Sequence, residues 1–92
     1  MGLPFNIASY GLLLEMLARV TGRGSRELVI SFGDLHIYDD HQSAVAELLT
    51  REPRPNPIIA LSDVETIFDF KWSDVLLDGY DPHPKITAPV SV

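Results

Sequence analysis

Gly33-Asp34-Leu35-His36-Ile37-Tyr38-Asp39-Asp40-His41 is the densest polar run in the chain, and its reading decides how the rest is placed. From Asp34 to Tyr38 polar and apolar residues alternate. In extended backbone successive side chains point to opposite faces, so Asp34, His36 and Tyr38 share one face and Leu35 and Ile37 the other. Asp39 or Asp40 can cap a helix that follows, about Asp40 to Thr50. A side-chain oxygen there satisfies a free amide, and negative charge suits the positive end of the helix. His41, Ala44, Val45, Leu48 and Leu49 form the inward stripe of that helix. An extended segment with a polar face thus leads directly into a helix.

Upstream, Glu27 to Phe32 reads as a strand, with Leu28, Ile30 and Phe32 alternating with Val29 and Ser31. Gly33 breaks the alternation and can host a bulge. A first helix is expected from Pro4 to Val20, since Pro4 suits a first helical turn and Gly22 supplies a stop. Leu13, Met16, Leu17 and Val20 fall at i, i+3, i+4 and i+7, one apolar stripe. Ile7, Leu12 and Leu14 add apolar surface on other sides, so burial on more than one face is expected. Downstream, Pro53, Pro55 and Pro57 force an extended connector. Ile58 to Leu61 and Val75 to Asp78 read as short strands. Ser62-Asp63-Val64-Glu65 matches a capping box and predicts a short helix to about Phe68. Tyr80-Asp81-Pro82-His83-Pro84 is a stiff loop before an apolar tail. The class is α+β, because helices and strands do not strictly alternate.

Composition narrows the function. Ninety-two residues make one domain at most, with a modest core. Hydrophobic residues at 46% and charged residues at 22% argue against wholesale disorder. Thirteen acidic against seven basic residues give a net charge of -6, the wrong sign for a nucleic-acid partner. No apolar stretch is long enough for a membrane span, and a cytoplasmic location is expected. The absence of cysteine excludes disulfides, Cys-ligated zinc and a cysteine nucleophile within these 92 residues.

Three readings compete for the polar run. Two histidines and three carboxylates within eight residues could hold a metal. Against this, His41 lies beyond the extended segment and no metal-binding spacing pattern is present, so no metal is expected. The same groups could be caps and edge polar residues. His36 and Tyr38 could instead face a pocket and bond one ligand between them. Asn6, near the first helix start, is either a capping residue or an amide offering both a donor and an acceptor to a polar heterocycle. Gly2 would allow close backbone approach to a ligand. Phe68, Phe70 and Trp72 are expected in the core, and Arg51, Arg54 and Lys71 in solvent. His83, between Pro82 and Pro84, is rigidly placed but has no adjacent group to make it a base. A small-molecule pocket fits these residues better than self-contained catalysis.

Six collinear segments together resemble the thymidylate synthase family. They are Gly2-Leu3-Pro4-Phe5-Asn6-Ile7-Ala8-Ser9-Tyr10, Gly33-Asp34-Leu35-His36-Ile37-Tyr38, Arg51-Glu52-Pro53-Arg54-Pro55, Ile67-Phe68-Asp69-Phe70, Gly79-Tyr80-Asp81-Pro82-His83-Pro84, and the tail Ala88-Pro89-Val90. The resemblance covers essentially the whole chain but only the C-terminal third or so of such an enzyme, so residues 1–92 read as a single partial domain. It implies an α+β fold built round a large mixed sheet packed by helices, and a dimer joined sheet to sheet. The implied reaction is reductive methylation of dUMP to dTMP by 5,10-methylenetetrahydrofolate. Residue by residue, it makes Asn6 the amide that reads the uracil ring. His36 and Tyr38 become the pair on the deoxyribose hydroxyl, with Ile37 in the same stretch. Gly2 and Phe5 are placed near the folate, and Ser91 and Val92 in a tail that closes over it.

The resemblance also shows what is missing. The family's nucleophilic cysteine and its phosphate-binding arginines have no counterpart here, so no residue of this chain is expected to be catalytic. Losing several charge-assisted contacts of about 1.5–3 kcal/mol each should leave dUMP binding weak and tight folate binding absent. The expectation is a chain inactive alone, completed by an N-terminal fragment or self-associated as a homo-oligomer. The alternative is a non-catalytic binding or interaction module that reuses the fold.

Overall fold

In a computed structural model, which describes residues 2–90, helix α1 (Leu3–Val20) opens the chain. Pro4 sits in its first turn, where a missing N–H removes a donor that has no intrahelical partner anyway. At the other end Gly22 takes a left-handed φ of 65°, which Cβ-bearing residues resist. Arg23 N then donates to Ala18 O at 2.9 Å and Gly22 N to Arg19 O at 3.2 Å, a Schellman closure of the last turn. The expected helix is therefore present almost residue for residue. Its expected burial is not: Leu13 and Leu17 are exposed, and only Ala18 of α1 is buried.

After α1 the chain changes character. Among the described residues, no helix or strand forms between Arg23 and Tyr38, and no backbone–backbone hydrogen bond starts or ends between Gly24 and Ile37. The strand expected over Glu27 to Phe32 is thus not formed, although its side chains alternate as a strand's would. A ladder needs a second strand beside it, and nothing in residues 2–90 supplies one. Gly33 and Asp34 form a bend, not a bulge. A 3₁₀ turn over Asp39–His41 leads into α2 (Gln42–Leu49). Neither Asp39 nor Asp40 caps it through a side chain; both lie inside the 3₁₀ turn, where their charge still suits the helix start. His41 and Ala44 of the expected stripe are buried and Val45 is half-buried, whereas Leu49 is 80% exposed.

Strands β1 (Ile58–Leu61) and β2 (Val75–Asp78) fall where the sequence places them and pair antiparallel, with Ile58 opposite Asp78 and Leu61 opposite Val75. Ser62 N donates to Asp74 O at 3.0 Å and continues the ladder. The helix expected from Ser62 does not form; the next turn starts at Ile67. The capping role passes to Thr66 and Asp69. Asp69 Oδ2 accepts from the Thr66 amide and hydroxyl, both at 2.9 Å, and closes a 3₁₀ turn over Ile67–Asp69. A second 3₁₀ turn, Trp72–Asp74, is closed by Asp74 accepting from the Lys71 amide at 2.8 Å. These turns hold Phe68 at 94% and Trp72 at 88% exposure, so neither is a core residue; Phe70 is half-buried.

The result is a small α+β arrangement: a two-stranded antiparallel sheet with α1 against β1. The mixed sheet implied by the resemblance is not built by these residues alone. Buried positions among the described residues are Ala18, Ala44 and His41. The accessible surface is 7875 Å² for 10.2 kDa, whereas a folded monomer of that mass exposes about 5,300 Å². The radius of gyration, 16.1 Å, likewise exceeds the ~12 Å of a compact 92-residue domain. Roughly a third of the surface would be covered in an ordinary domain of this mass.

Candidate functional site

The polar face read from the sequence is real even without a sheet. His36 Nδ1 lies 3.1 Å from Asp34 Oδ1, and the His36 and Tyr38 rings meet edge to face at 5.1 Å and 80°. All three side chains therefore lie together, with Leu35 and Ile37 interleaved. Donation from Nδ1–H to Asp34 leaves Nε2 of His36 as the ring atom available to a ligand. His41 adjoins this group through Tyr38 while its ring nitrogen bonds elsewhere. Its Nε2 donates to the Pro89 carbonyl at 2.7 Å, and its ring meets Tyr38 edge to face at 5.4 Å and 88°. Among the described residues no set of three or more His, Asp or Glu side chains converges on one point as a metal would require.

His36, Ile37 and Tyr38 line an open cavity of about 760 Å³. Gly2, Leu3 and Pro4 at the start of α1 form another part of its wall, and Gln42, Val45 and Leu48 of α2 a third. That volume lies within the ~300–1,000 Å³ typical of small-molecule sites. A neighbouring cavity of about 660 Å³ shares Pro4 and Leu48 and is lined also by Phe5, Tyr80 and Lys85. The α1 entry thus stands between two cavities, with Gly2 on the first and Phe5 on the second. Asn6, one turn on, lines neither, and its amide is exposed with no side-chain hydrogen bond to a described residue. Ser91 and Val92 lie outside the described residues.

Sequence reasoning overlooked two groups. Gln42, Val45 and Leu48 contribute a cavity wall, and helical spacing could have found them, because i, i+3 and i+6 from Gln42 face one side. Arg51 and Arg54 are not simply solvated. Arg51, 17% exposed in its side chain, bonds Glu47 Oε1 and the Pro84 carbonyl, both at 2.6 Å. Arg54 pairs with Asp81 Oδ2 at 2.7 Å and reaches the Pro82 carbonyl at 3.3 Å. His83 Nε2 donates to Glu52 O at 2.9 Å, so its rigid placement serves to hold two segments together. The Glu47–Arg51 pair has i,i+4 helical spacing; no spacing rule links residues thirty apart, which is why the other ties were illegible.

A His–Tyr pair on the rim of this cavity offers hydrogen-bonding groups to a small polar molecule but does not name it; comparison with known proteins gives the family. The family profile of thymidylate synthase matches residues 1–92. Thymidylate synthase of Agaricus bisporus is 50% identical over 94 aligned residues, covering 100% of this chain. The chain belongs to the thymidylate synthase family, methyltransferases of nucleotide biosynthesis. It spans 32% of that relative's length, about a third. Among the described residues no helix is long and apolar enough to cross a membrane.

Proposed function

We propose that residues 1–92 are the C-terminal, nucleotide-reading part of a thymidylate synthase, inactive alone and completed by the rest of the enzyme. The observation that carries this reading is the His36–Tyr38 pair on the wall of the 760 Å³ cavity, facing the glycine-bearing start of α1. A sugar hydroxyl can both donate and accept, and so can be shared between His36 Nε2 and the Tyr38 phenol. Ile37 packs beside them. Asn6 reads the uracil ring once that ring reaches the first turns of α1. The second cavity, with the exposed Phe5 ring and Lys85, takes 5,10-methylenetetrahydrofolate as the second substrate. Gly2 lines the first cavity and gives close backbone approach where the folate extends past Pro4, the residue both cavities share; Ser91 and Val92 close over it. No cysteine is present in the chain. The nucleophile and the phosphate-binding arginines must come from another part of the enzyme, which also covers the excess apolar surface.

The test is complementation. Co-expression with a family segment that carries the cysteine and the arginines should give a complex that converts dUMP to dTMP, while the 92-residue chain alone shows weak or no dUMP binding by calorimetry. In that complex His36→Ala and Tyr38→Phe should each lower dUMP affinity about tenfold, the loss of one hydrogen bond at a polar ligand. A complex that forms but makes no dTMP would sink the reading.

A further inference from the structure

Residues 81–89 form no helix or strand, yet side chains from elsewhere tie them down at intervals. Arg54 holds Asp81 and Pro82, His83 reaches back to Glu52, Arg51 holds Pro84, and His41 holds Pro89. The first three ties fall within four residues. Past Pro84, among the described residues, the His41–Pro89 bond is the one hydrogen bond that anchors residues 85–90 to the rest of the chain. His41 is also unusual in its surroundings. It is 6% exposed in a molecule with almost no core, with its ring against Tyr38 and Asp40 Oδ1 3.9 Å from Nε2.

We infer that His41 is a positioning residue that clamps the C-terminal segment at Pro89 and, through its ring contact with Tyr38, holds that segment in register with the His36–Tyr38 pair. The geometry supports both halves. Nε2–H of a buried imidazole donates to the Pro89 carbonyl, and a buried donor parted from its acceptor carries a desolvation cost. The edge-to-face stack His36–Tyr38–His41 links that donor to the cavity wall through two ring contacts of 5.1 and 5.4 Å. The consequence for ligand binding rests on the function proposed above: the clamp keeps Pro89 beside the Tyr38 ring that borders the first cavity.

The absence of cysteine makes the test clean, because a single introduced cysteine takes a nitroxide label without background. Thr87→Cys reports the segment beyond Pro84, and Ser43→Cys, on the exposed side of α2, serves as the reference. In the parent the Thr87 label should be restricted. His41→Phe keeps the ring and its contact with Tyr38 but removes the donor, and should raise the mobile fraction at position 87 about fivefold or more. His41→Gln, whose amide nitrogen reaches the place of Nε2, should restore restriction. His41→Asn, which reaches only the place of Nδ1, should not. A label at position 87 already mobile in the parent, unchanged by His41→Phe, or unrescued by His41→Gln overturns the clamp. So does equal loosening at position 43, which would mark a global effect. The measurement involves no nucleotide. Failure of dUMP binding therefore counts against the functional reading alone, and a mobile position 87 counts against the clamp alone.

Discussion

Two regions of this chain have the composition of strands, and only one pair of segments becomes a sheet. Ile58–Leu61 and Val75–Asp78 find each other across thirteen intervening residues, with two 3₁₀ turns folding that connection back. Glu27–Phe32 is at least as strand-like in composition, yet every residue from Thr21 to Asp40 is exposed and the segment makes no ladder. Propensity is shared by both regions; a partner is not. A strand is a property of a pair, so β-branched residues and alternation declare only a readiness to pair.

That contrast can be tested in order of effect. The largest change should follow from supplying the missing partner. In complex with a complementing family segment, amide exchange over 27–38 should slow by roughly a thousandfold or more, as free solvent-exposed amides become sheet amides. The hairpin amides should slow far less. Equal changes in both regions would mean that the contrast reflects overall stability, not missing partners. Next comes proline. The Ser62–Asp74 bond sets the alternation of the ladder, which puts Ala60 and Leu76 in a hydrogen-bonded pair. Leu76→Pro should therefore destabilise by roughly 1–3 kcal/mol in denaturant titration. Ile30→Pro, in the unpaired segment, should stay within about 0.5 kcal/mol. Arg51→Ala should come third. It removes two short charge-assisted bonds from a largely covered side chain, an expected loss of about 1–2 kcal/mol by thermal melting. Last is Arg19→Ala. The Arg19–Asp63 pair is 3.2 Å long but 45% and 91% exposed, and a double-mutant cycle should find it within roughly 0.5 kcal/mol of zero.

What the sequence made legible follows the same division. Most local signals held: Pro4 and Gly22 bracket α1, the hairpin strands fall at their expected bounds, and Asp34, His36 and Tyr38 meet as alternation required; the capping box at Ser62 and the caps at Asp39 and Asp40 did not. Signals that needed a tertiary partner did not. Leu13, Leu17 and Leu49 are placed as an apolar stripe should be, but nothing here covers them. Phe68 and Trp72 look like core by type and stand in solvent because the 3₁₀ turns that carry them face outward from a two-stranded sheet. At the candidate site, the His36–Tyr38 pair on the cavity wall was visible in five residues of sequence. The ties from Arg51, Arg54, His41 and His83 were not, because side-chain bonds across about thirty to fifty positions leave no periodic trace.

Five of the seven prolines, Pro53, Pro55, Pro57, Pro82 and Pro84, lie in the two segments that the Arg51, Arg54 and His83 ties join, 51–57 and 81–84. A proline has no amide hydrogen to offer a neighbouring chain. Laid side by side and joined through guanidinium and imidazole groups, these segments make a border that cannot template intermolecular β-association. The amides of 27–38 have no such protection. If the chain precipitates on its own, the contacts that nucleate the aggregate should run through the unpaired stretch and spare the proline border.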